Sequence, residues 1–189
     1  MPASLIVCLR NWVSSPDHWA VLAGDRATAK SSVLATLALA VEATGRPLVY
    51  WPDPPPRSPR PFDQIPDRGT RLWLLDEWRF YPPPMVSGDL RSGIVAVERD
   101  LRWARSLMAR PGYAPWPPEA AVAWVDLTLP DRHGDTVAWS LVAEGEPEAH
   151  GVMPRGPWPE VASQLSWPVP DPVWGTLYAT PPLAGLALG

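Results

Sequence analysis

Between His18 and Asp53 the sequence alternates apolar runs and breaks in an order that few folds accommodate. His18–Ala23 is a short apolar run, typical of a parallel strand that is buried on both faces. A polar loop follows, and Ala29–Thr44 then carries strong helix formers with apolar residues on nearly all sides, which predicts a buried helix. Leu48–Trp51 is a second strand candidate. Strand, loop, helix and strand together predict a βαβ unit, and therefore an α/β fold.

The loop of this unit nearly matches the phosphate-binding pattern G-x-x-x-x-G-K-[ST]. It runs as GDRATAKS from Gly24 to Ser31, with Ala29 in the place of the second glycine. Backbone N–H groups of such a loop form an anion site together with the positive end of the following helix. Because alanine is the least disruptive replacement for that glycine, we expect nucleotide binding to persist in weakened form. The predicted nucleotide-binding residues are Gly24, Asp25, Arg26, Ala27, Thr28, Ala29, Lys30, Ser31 and Ser32.

The lysine of this motif has a second argument in its favour. Of the 16 lysine and arginine residues in the chain, Lys30 is the only lysine. A compact ammonium fits between phosphate oxygens in a tight backbone cradle, where the wide planar guanidinium fits poorly. We therefore expect Lys30 to reach the β- and γ-phosphates and to assist catalysis, while Ser31 offers its hydroxyl to Mg²⁺. The alternative is a helix start that carries a lysine by chance.

A second apolar strand ends in two carboxylates. The strand is predicted over Thr70–Trp78 and contains the run LWLLDE, which ends at Asp76 and Glu77. In a nucleotide-binding protein Asp76 would hold Mg²⁺, and Glu77 would orient or activate the attacking water. The alternative is an ordinary strand end with exposed acids.

Together GDRATAKS and LWLLDE resemble the motifs of the P-loop NTPase superfamily, over Trp19 to Tyr81 at most. The carboxylate strand looks like that of conjugation and filamentous-phage assembly ATPases, and somewhat like that of thymidine-kinase-type enzymes. The latter carry a Cys-based zinc site, which a chain whose single cysteine is Cys8 cannot build. The spacing of the two motifs, beyond one intervening strand, is the order expected of ATPases with an extra central strand. The resemblance implies ATP or GTP as ligand, Mg²⁺ as cofactor, and nucleoside-triphosphatase activity.

The remaining segments complete an α/β prediction: a small, mostly parallel sheet flanked by helices, with an antiparallel β-hairpin in the C-terminal half. We expect one domain over 1–189, in which 1–110 is the P-loop-like core and 111–189 is rich in strands and prolines. The predicted elements are a strand at Ala3–Val13, a proline-rich loop at Pro52–Gly69, a helix at Asp89–Ala109, hairpin strands at Val122–Leu129 and Thr136–Ala143 with Gly134 in the turn, a loop at Glu144–Pro157, a short helix at Trp158–Leu165, a strand at Val173–Thr180 and an apolar tail at Leu183–Gly189.

Several polar residues outside the two motifs are weaker candidates. Thr128 ends a predicted strand and could sense the γ-phosphate. Arg99, Arg102 and Arg105 are candidate arginine fingers, although a solvated helix face explains them better. The cluster of Asp131, His133 and Asp135 could bind a cation, but turn chemistry explains it more simply.

The composition of the chain limits which partners and which cellular location we expect for the protein. A net charge of −4 argues against electrostatically driven nucleic-acid binding. The longest uncharged apolar stretch of the first helix, Val33–Val41, is too short to span a bilayer, and Met1–Val13 lacks a signal-peptide pattern, so a cytoplasmic location is expected. Cys8 lies in an apolar run and is expected to be a buried, inert thiol.

The chain also has 27 prolines and 12 tryptophans, too many rings for all to be buried completely. An exposed aromatic surface for a protein partner, or a platform that stacks bases, is therefore a secondary hypothesis. Its candidates are Trp12, Trp116, Trp158, Trp167 and Trp174.

Two functions from different classes follow. The first is Mg²⁺-dependent binding, and hydrolysis, of a purine nucleotide (ATP or GTP) by a small P-loop protein that works within a larger assembly. The second is a non-catalytic, Trp- and Pro-rich α/β subunit or adaptor that mediates protein–protein interaction.

Overall fold

The computed structural model of the protein describes residues 2–42, 44–51, 69–76 and 90–155. These residues form three helices and one seven-stranded sheet. The helices are α1 (Pro2–Val13), α2 (Lys30–Glu42) and α3 (Leu101–Met108). The strands are β1 (His18–Gly24), β2 (Leu48–Trp51), β3 (Leu72–Leu75), β4 (Ser92–Val97), β5 (Ala121–Thr128), β6 (Thr136–Ala143) and β7 (Ala149–Pro154).

The sheet has the strand order β2-β3-β4-β1-β5-β6-β7. The five strands β1 to β5 pair in parallel, whereas β6 is antiparallel to both β5 and β7. This arrangement confirms the predicted α/β class, with a mostly parallel sheet and an antiparallel hairpin in the C-terminal half. In the sheet one strand, β4, separates β1 from β3.

Helices cover both faces of the parallel strands. The α1 and α2 side chains pack in one apolar cluster with Leu22, Leu74 and Ile94, while α3 packs in a second cluster on the opposite face with Trp19 and Trp73. Both tryptophans are completely buried. Strand residues alternate between the two clusters because successive side chains of a β-strand point to opposite faces.

The segment predicted as a strand at Ala3–Val13 is instead helix α1, and that prediction was wrong. Its β-forming composition favoured a strand, but the buried residues Leu5, Leu9 and Val13 recur every four positions, whereas Val7 and Arg10 are exposed. That spacing is helical, and burial against the sheet outweighs β propensity.

The single helix predicted over Asp89–Ala109 was also wrong, because its first half is strand β4. Every residue from Ser92 to Val97 is buried, as a central parallel strand requires. Gly93 is needed there, since a Cβ at this position would lie 2.5 Å from the Trp73 carbonyl oxygen and from the Trp19 ring. Asp100 then starts α3 as its N-cap, and its side chain accepts a hydrogen bond from the Trp103 N–H at 2.8 Å.

The C-terminal half contains one predicted and one unpredicted feature. Strands β5 and β6 form the predicted antiparallel hairpin, and Gly134 lies in its turn. The predicted loop Glu144–Pro157 is wrong in part, because β7 occupies Ala149–Pro154 and pairs with β6. The predicted loop at Pro52–Gly69 lies outside the described residues except for Gly69 itself, and the predictions for Trp158–Leu165, Val173–Thr180 and Leu183–Gly189 lie wholly outside them. Within the described ranges, no helix combines the length and the apolar character needed to cross a membrane.

Candidate functional site

The loop between β1 and α2 folds around its lysine. Lys30 is the first residue of α2 and only 7% exposed. Its ammonium donates to the carbonyl oxygens of Gly24 at 2.8 Å and Asp25 at 2.7 Å, and to the Thr28 hydroxyl at 3.1 Å. A buried ammonium is costly unless its hydrogens are bound, and the loop supplies oxygens for them. The loop therefore curls around a positive charge.

Two alanines in this loop have left-handed backbone conformations. Ala27 has φ 64° and Ala29 has φ 65°. This region costs a residue with a Cβ roughly 1–2 kcal/mol, and it explains why the phosphate-binding pattern has glycine at the position of Ala29. Backbone strain of this kind persists where the surrounding structure imposes it, and it clusters at functional sites.

Gly24 is required by close packing at the end of β1. A Cβ there would lie 2.5 Å from the Thr28 hydroxyl oxygen and 2.8 Å from the Leu127 carbonyl oxygen on β5. Only glycine lets the chain turn into the loop while it still pairs with the neighbouring strand. The first glycine of the motif thus has a steric reason that follows from the fold.

The second motif meets the first at the same edge of the sheet. Asp76 directly follows β3 and is 8% exposed. The Ser31 hydroxyl donates to its carboxylate oxygen Oδ2 at 2.9 Å. A hydroxyl and a carboxylate side by side are hard oxygen donors of the kind that Mg²⁺ binds, usually together with phosphates and water. These two residues fit the predicted metal, whereas Glu77 lies outside the described residues.

A further carboxylate at this edge was missed from the sequence. Glu98 directly follows β4, and its side chain is 8% exposed. It accepts a hydrogen bond from Nε of Arg26, a loop residue, at 3.0 Å, although the Arg26 side chain is 87% exposed. Glu98 was missed because the prediction of one helix over Asp89–Ala109 placed it within that helix and not at the end of a strand. The fully apolar run before it and the N-cap aspartate after it were the available signals.

A cavity of about 500 Å³ lies beside the loop. Its lining includes loop residues, the end of β5 with Thr128, and both Arg132 and Arg155. Arg155 follows β7 and donates from Nε to the Ala27 carbonyl at 3.1 Å, and from Nη1 to the Arg132 carbonyl at 3.1 Å. The antiparallel extension is thereby fastened to the loop. The strand order places Thr128 on the opposite side of β1 from Asp76.

The same cavity holds three carboxylates, those of Asp25, Asp100 and Asp126. Burial raises the pKa of Asp126, and the negative charges of Asp100 and Asp25 raise this pKa further. The neighbouring negative charges thus disfavour the ionised form of Asp126, which weakens the fold at neutral pH.

Several of the remaining candidates make contacts within the described part of the chain. The guanidinium groups of Arg99 and Arg105 lie over the rings of Trp103 and Trp124, and Arg102 is exposed. The Asp131 carboxylate accepts from the His133 N–H at 3.0 Å, which is the expected turn contact.

Two of the aromatic candidates, Trp12 and Trp116, pack within the fold. Trp12 donates to the Trp19 carbonyl at 2.7 Å, and Trp116 packs against Trp19 and Trp124, so both rings serve packing. Trp158, Trp167 and Trp174 lie outside the described residues. Within the described ranges, no three His, Cys, Asp or Glu side chains are grouped as metal ligands. Ser32, the last residue of the predicted nucleotide set, is buried in α2, and Cys8 is half-buried.

Comparison with protein-family models, with curated proteins and with solved structures gives no match to this chain.

Proposed function

We propose that this protein binds a purine nucleoside triphosphate, ATP or GTP, together with Mg²⁺ at the loop between β1 and α2. The observation that supports the proposal best is the buried Lys30 ammonium, which carbonyl oxygens of the loop hold in place. The next residue, Ser31, donates its hydroxyl to the Asp76 carboxylate. A strained loop wrapped around a cation, beside a hydroxyl–carboxylate pair, is the kind of arrangement that clusters at binding sites. A triphosphate with its cation would use both features.

Each residue of the loop has a definite part in this proposal. The β- and γ-phosphates lie against the backbone N–H groups at the start of α2, which have no intrahelical partner. Lys30 exchanges its contacts with the Gly24 and Asp25 carbonyls for phosphate oxygens. Ser31 and Asp76 hold Mg²⁺, which supplies positive charge that neutralises the phosphate oxygens. The strain at Ala29 and the methyl group there lower the affinity relative to a glycine.

Hydrolysis is the second part of the proposal. The sequence assigns the orientation of the attacking water to Glu77, which follows Asp76. We also propose that the protein acts in the cytoplasm and within a larger assembly. The competing function is an adaptor whose loop holds no nucleotide, with a protein partner that contacts exposed apolar residues such as Val142 and Val152 on β6 and β7.

Binding of fluorescent ATP and GTP analogues with Mg²⁺ tests the proposal. Lys30→Ala removes the charge and Lys30→Arg keeps it in a shape that fits the loop poorly. We expect both to bind at least about tenfold more weakly than the native chain, because a charge-assisted hydrogen bond contributes roughly 1.5–3 kcal/mol. Arg10→Ala, which removes a positive charge from the exposed side of α1, serves as the matched control with native affinity.

The variants Ser31→Ala and Asp76→Asn test whether these two residues hold Mg²⁺. We expect these variants to retain weak binding that no longer responds to Mg²⁺. Circular dichroism of every variant verifies the fold. Equal fluorescence signals from the native chain and from folded Lys30→Ala would reject nucleotide binding and favour the adaptor.

A further inference from the structure

Glu98 occupies the central position at the loop edge of the sheet. Strand β4, which it follows, pairs with β1 on one side and with β3 on the other. The pairing of β1 with β4 ends at Ala23 opposite Val97, and Glu98 is the next residue after that last pair. Glu98 therefore lies beside the start of the loop, just past the end of the strand that separates β1 from β3. Ligands of parallel α/β sheets bind at this carboxyl edge.

The alternation of side chains places Glu98 on the same face as the proposed metal ligand. Ile94 and Ala96 of β4 belong to the cluster beneath α1 and α2, whereas Val95 and Val97 belong to the cluster beneath α3. Two-residue periodicity puts Glu98 with Ile94 and Ala96. The same count along β3, from Leu72 and Leu74, puts Asp76 on that face. The contacts agree with this count, because Asp76 accepts from Ser31 of α2 and Glu98 accepts from Arg26 of the loop that precedes α2.

The Glu98 carboxylate is directed at the loop. Its Oε1 lies 3.0 Å from Nε of Arg26. Because the Arg26 side chain is mostly exposed while Glu98 is buried, water screens the pair on the arginine side and the ion pair alone contributes little stability. A buried carboxylate that contacts the loop at the carboxyl edge of a parallel sheet lies where α/β proteins bind their ligands.

We propose that Glu98 is the general base of hydrolysis, an inference that rests on the proposed nucleotide binding. The oxygen of a water molecule attacks the γ-phosphorus, and the bond from that phosphorus to the β–γ bridging oxygen breaks. The electron pair of the broken bond leaves with the nucleoside diphosphate. The water proton passes to the Glu98 carboxylate, which later releases it to solvent, and the products are inorganic phosphate and the diphosphate.

This assignment differs from that of the sequence, which gave the same task to Glu77. The two carboxylates are separable by matched substitutions, because Glu→Gln removes the basic site and keeps the size and hydrogen-bonding capacity. Glu98→Gln still accepts from Arg26 through its amide oxygen. Glu144→Gln, on the exposed turn between β6 and β7, is the control for loss of a carboxylate.

The experiment measures two quantities for the native chain, Glu98→Gln, Glu77→Gln and Glu144→Gln. One is the Kd of a fluorescent ATP or GTP analogue with Mg²⁺, and the other is kcat from phosphate release. We expect Glu98→Gln to lower kcat by about 10²–10⁴-fold, the usual contribution of a general base. Its Kd should stay within about threefold of native, a difference below 1 kcal/mol. Glu144→Gln should match the native chain in both.

The outcomes separate this inference from the proposed function. Absence of binding by the native chain rejects both. Binding without phosphate release by the native chain overturns the role of Glu98 and leaves nucleotide binding in place. Loss of turnover in Glu77→Gln alone returns the role to Glu77, and loss of binding in Glu98→Gln shows a structural role for Glu98. Should Glu98→Gln not fold, Glu98→Asp replaces it: slow turnover with native binding supports the inference, and native turnover overturns it.

Discussion

The two ends of the parallel sheet differ in what their polar residues do. At the carboxyl end, where β1, β3 and β4 finish, Lys30, Asp76 and Glu98 are buried and two alanines have left-handed backbones. At the amino end, where α1 and the α2–β2 connection meet the strands, polar groups join one element to another. There the Trp12 N–H donates to the Trp19 carbonyl, and Arg46 donates to the Val13 carbonyl at 2.8 Å and to the Ser92 hydroxyl.

This difference indicates that the polar contacts at the amino end stabilise the fold, whereas the buried charges and strained backbone at the carboxyl end cost stability that the rest of the fold supplies. The amino end also has a left-handed residue other than glycine, Asp17 with φ 60°. Aspartate tolerates that region better than alanine, so the turn there has a low cost. Natural proteins keep strained or charge-burying sites where function needs them, and the rest of the structure compensates. Substitutions at the two ends should therefore change stability in opposite directions.

The largest expected effect is at the amino end. Arg46→Ala removes two hydrogen bonds from a half-buried guanidinium, so we expect the free energy of unfolding to fall by about 1.5–3 kcal/mol. Urea denaturation measures the loss, and nucleotide affinity should not change because Arg46 is remote from the loop. The exposed Arg10→Ala should stay within about 0.5 kcal/mol of native. A folded Arg46→Ala that loses nucleotide affinity would contradict the separation of the two ends.

A smaller effect of opposite sign is expected in the loop. Ala29→Gly relieves the left-handed strain of an alanine but adds flexibility to the unfolded chain, so we expect a net gain of about 0.5–1 kcal/mol. Ala27→Gly, at nearly the same φ, should give the same gain. Only Ala29→Gly should also tighten nucleotide binding, because it restores the glycine of the phosphate-binding pattern. A loss of stability in both variants would show that the loop is not strained.

The sequence predicted the elements whose signals are local and missed those that depend on packing. The unit from β1 to β2 was predicted because its glycine, lysine and buried helix are signals within a short window. The errors at α1 and β4 have a common physical cause, since apolar residues at mixed spacing satisfy helix and strand periods, and packing against the sheet decides between them. The meeting of Ser31 with Asp76 followed from two motifs, whereas Glu98 could not be predicted once its strand had been assigned to a helix.

The smallest expected effect concerns the carboxylate cluster beside the loop. Burial, Asp100 and Asp25 raise the pKa of Asp126 in the folded chain, so the folded state binds its proton more tightly than the unfolded state does. The resulting loss of stability is absent below the ordinary pKa, grows as pH rises toward the raised pKa, and is complete above it. Asp126→Asn should therefore have a higher Tm than the native chain at pH 7, with a difference that disappears in acid.

The control is Asp135→Asn, at an exposed position in the hairpin turn, whose Tm should change little at pH 7. A lower Tm for Asp126→Asn at pH 7 would mean that its carboxylate stabilises the fold, and the carboxyl end of the sheet would then lose one of the features that set it apart from the amino end.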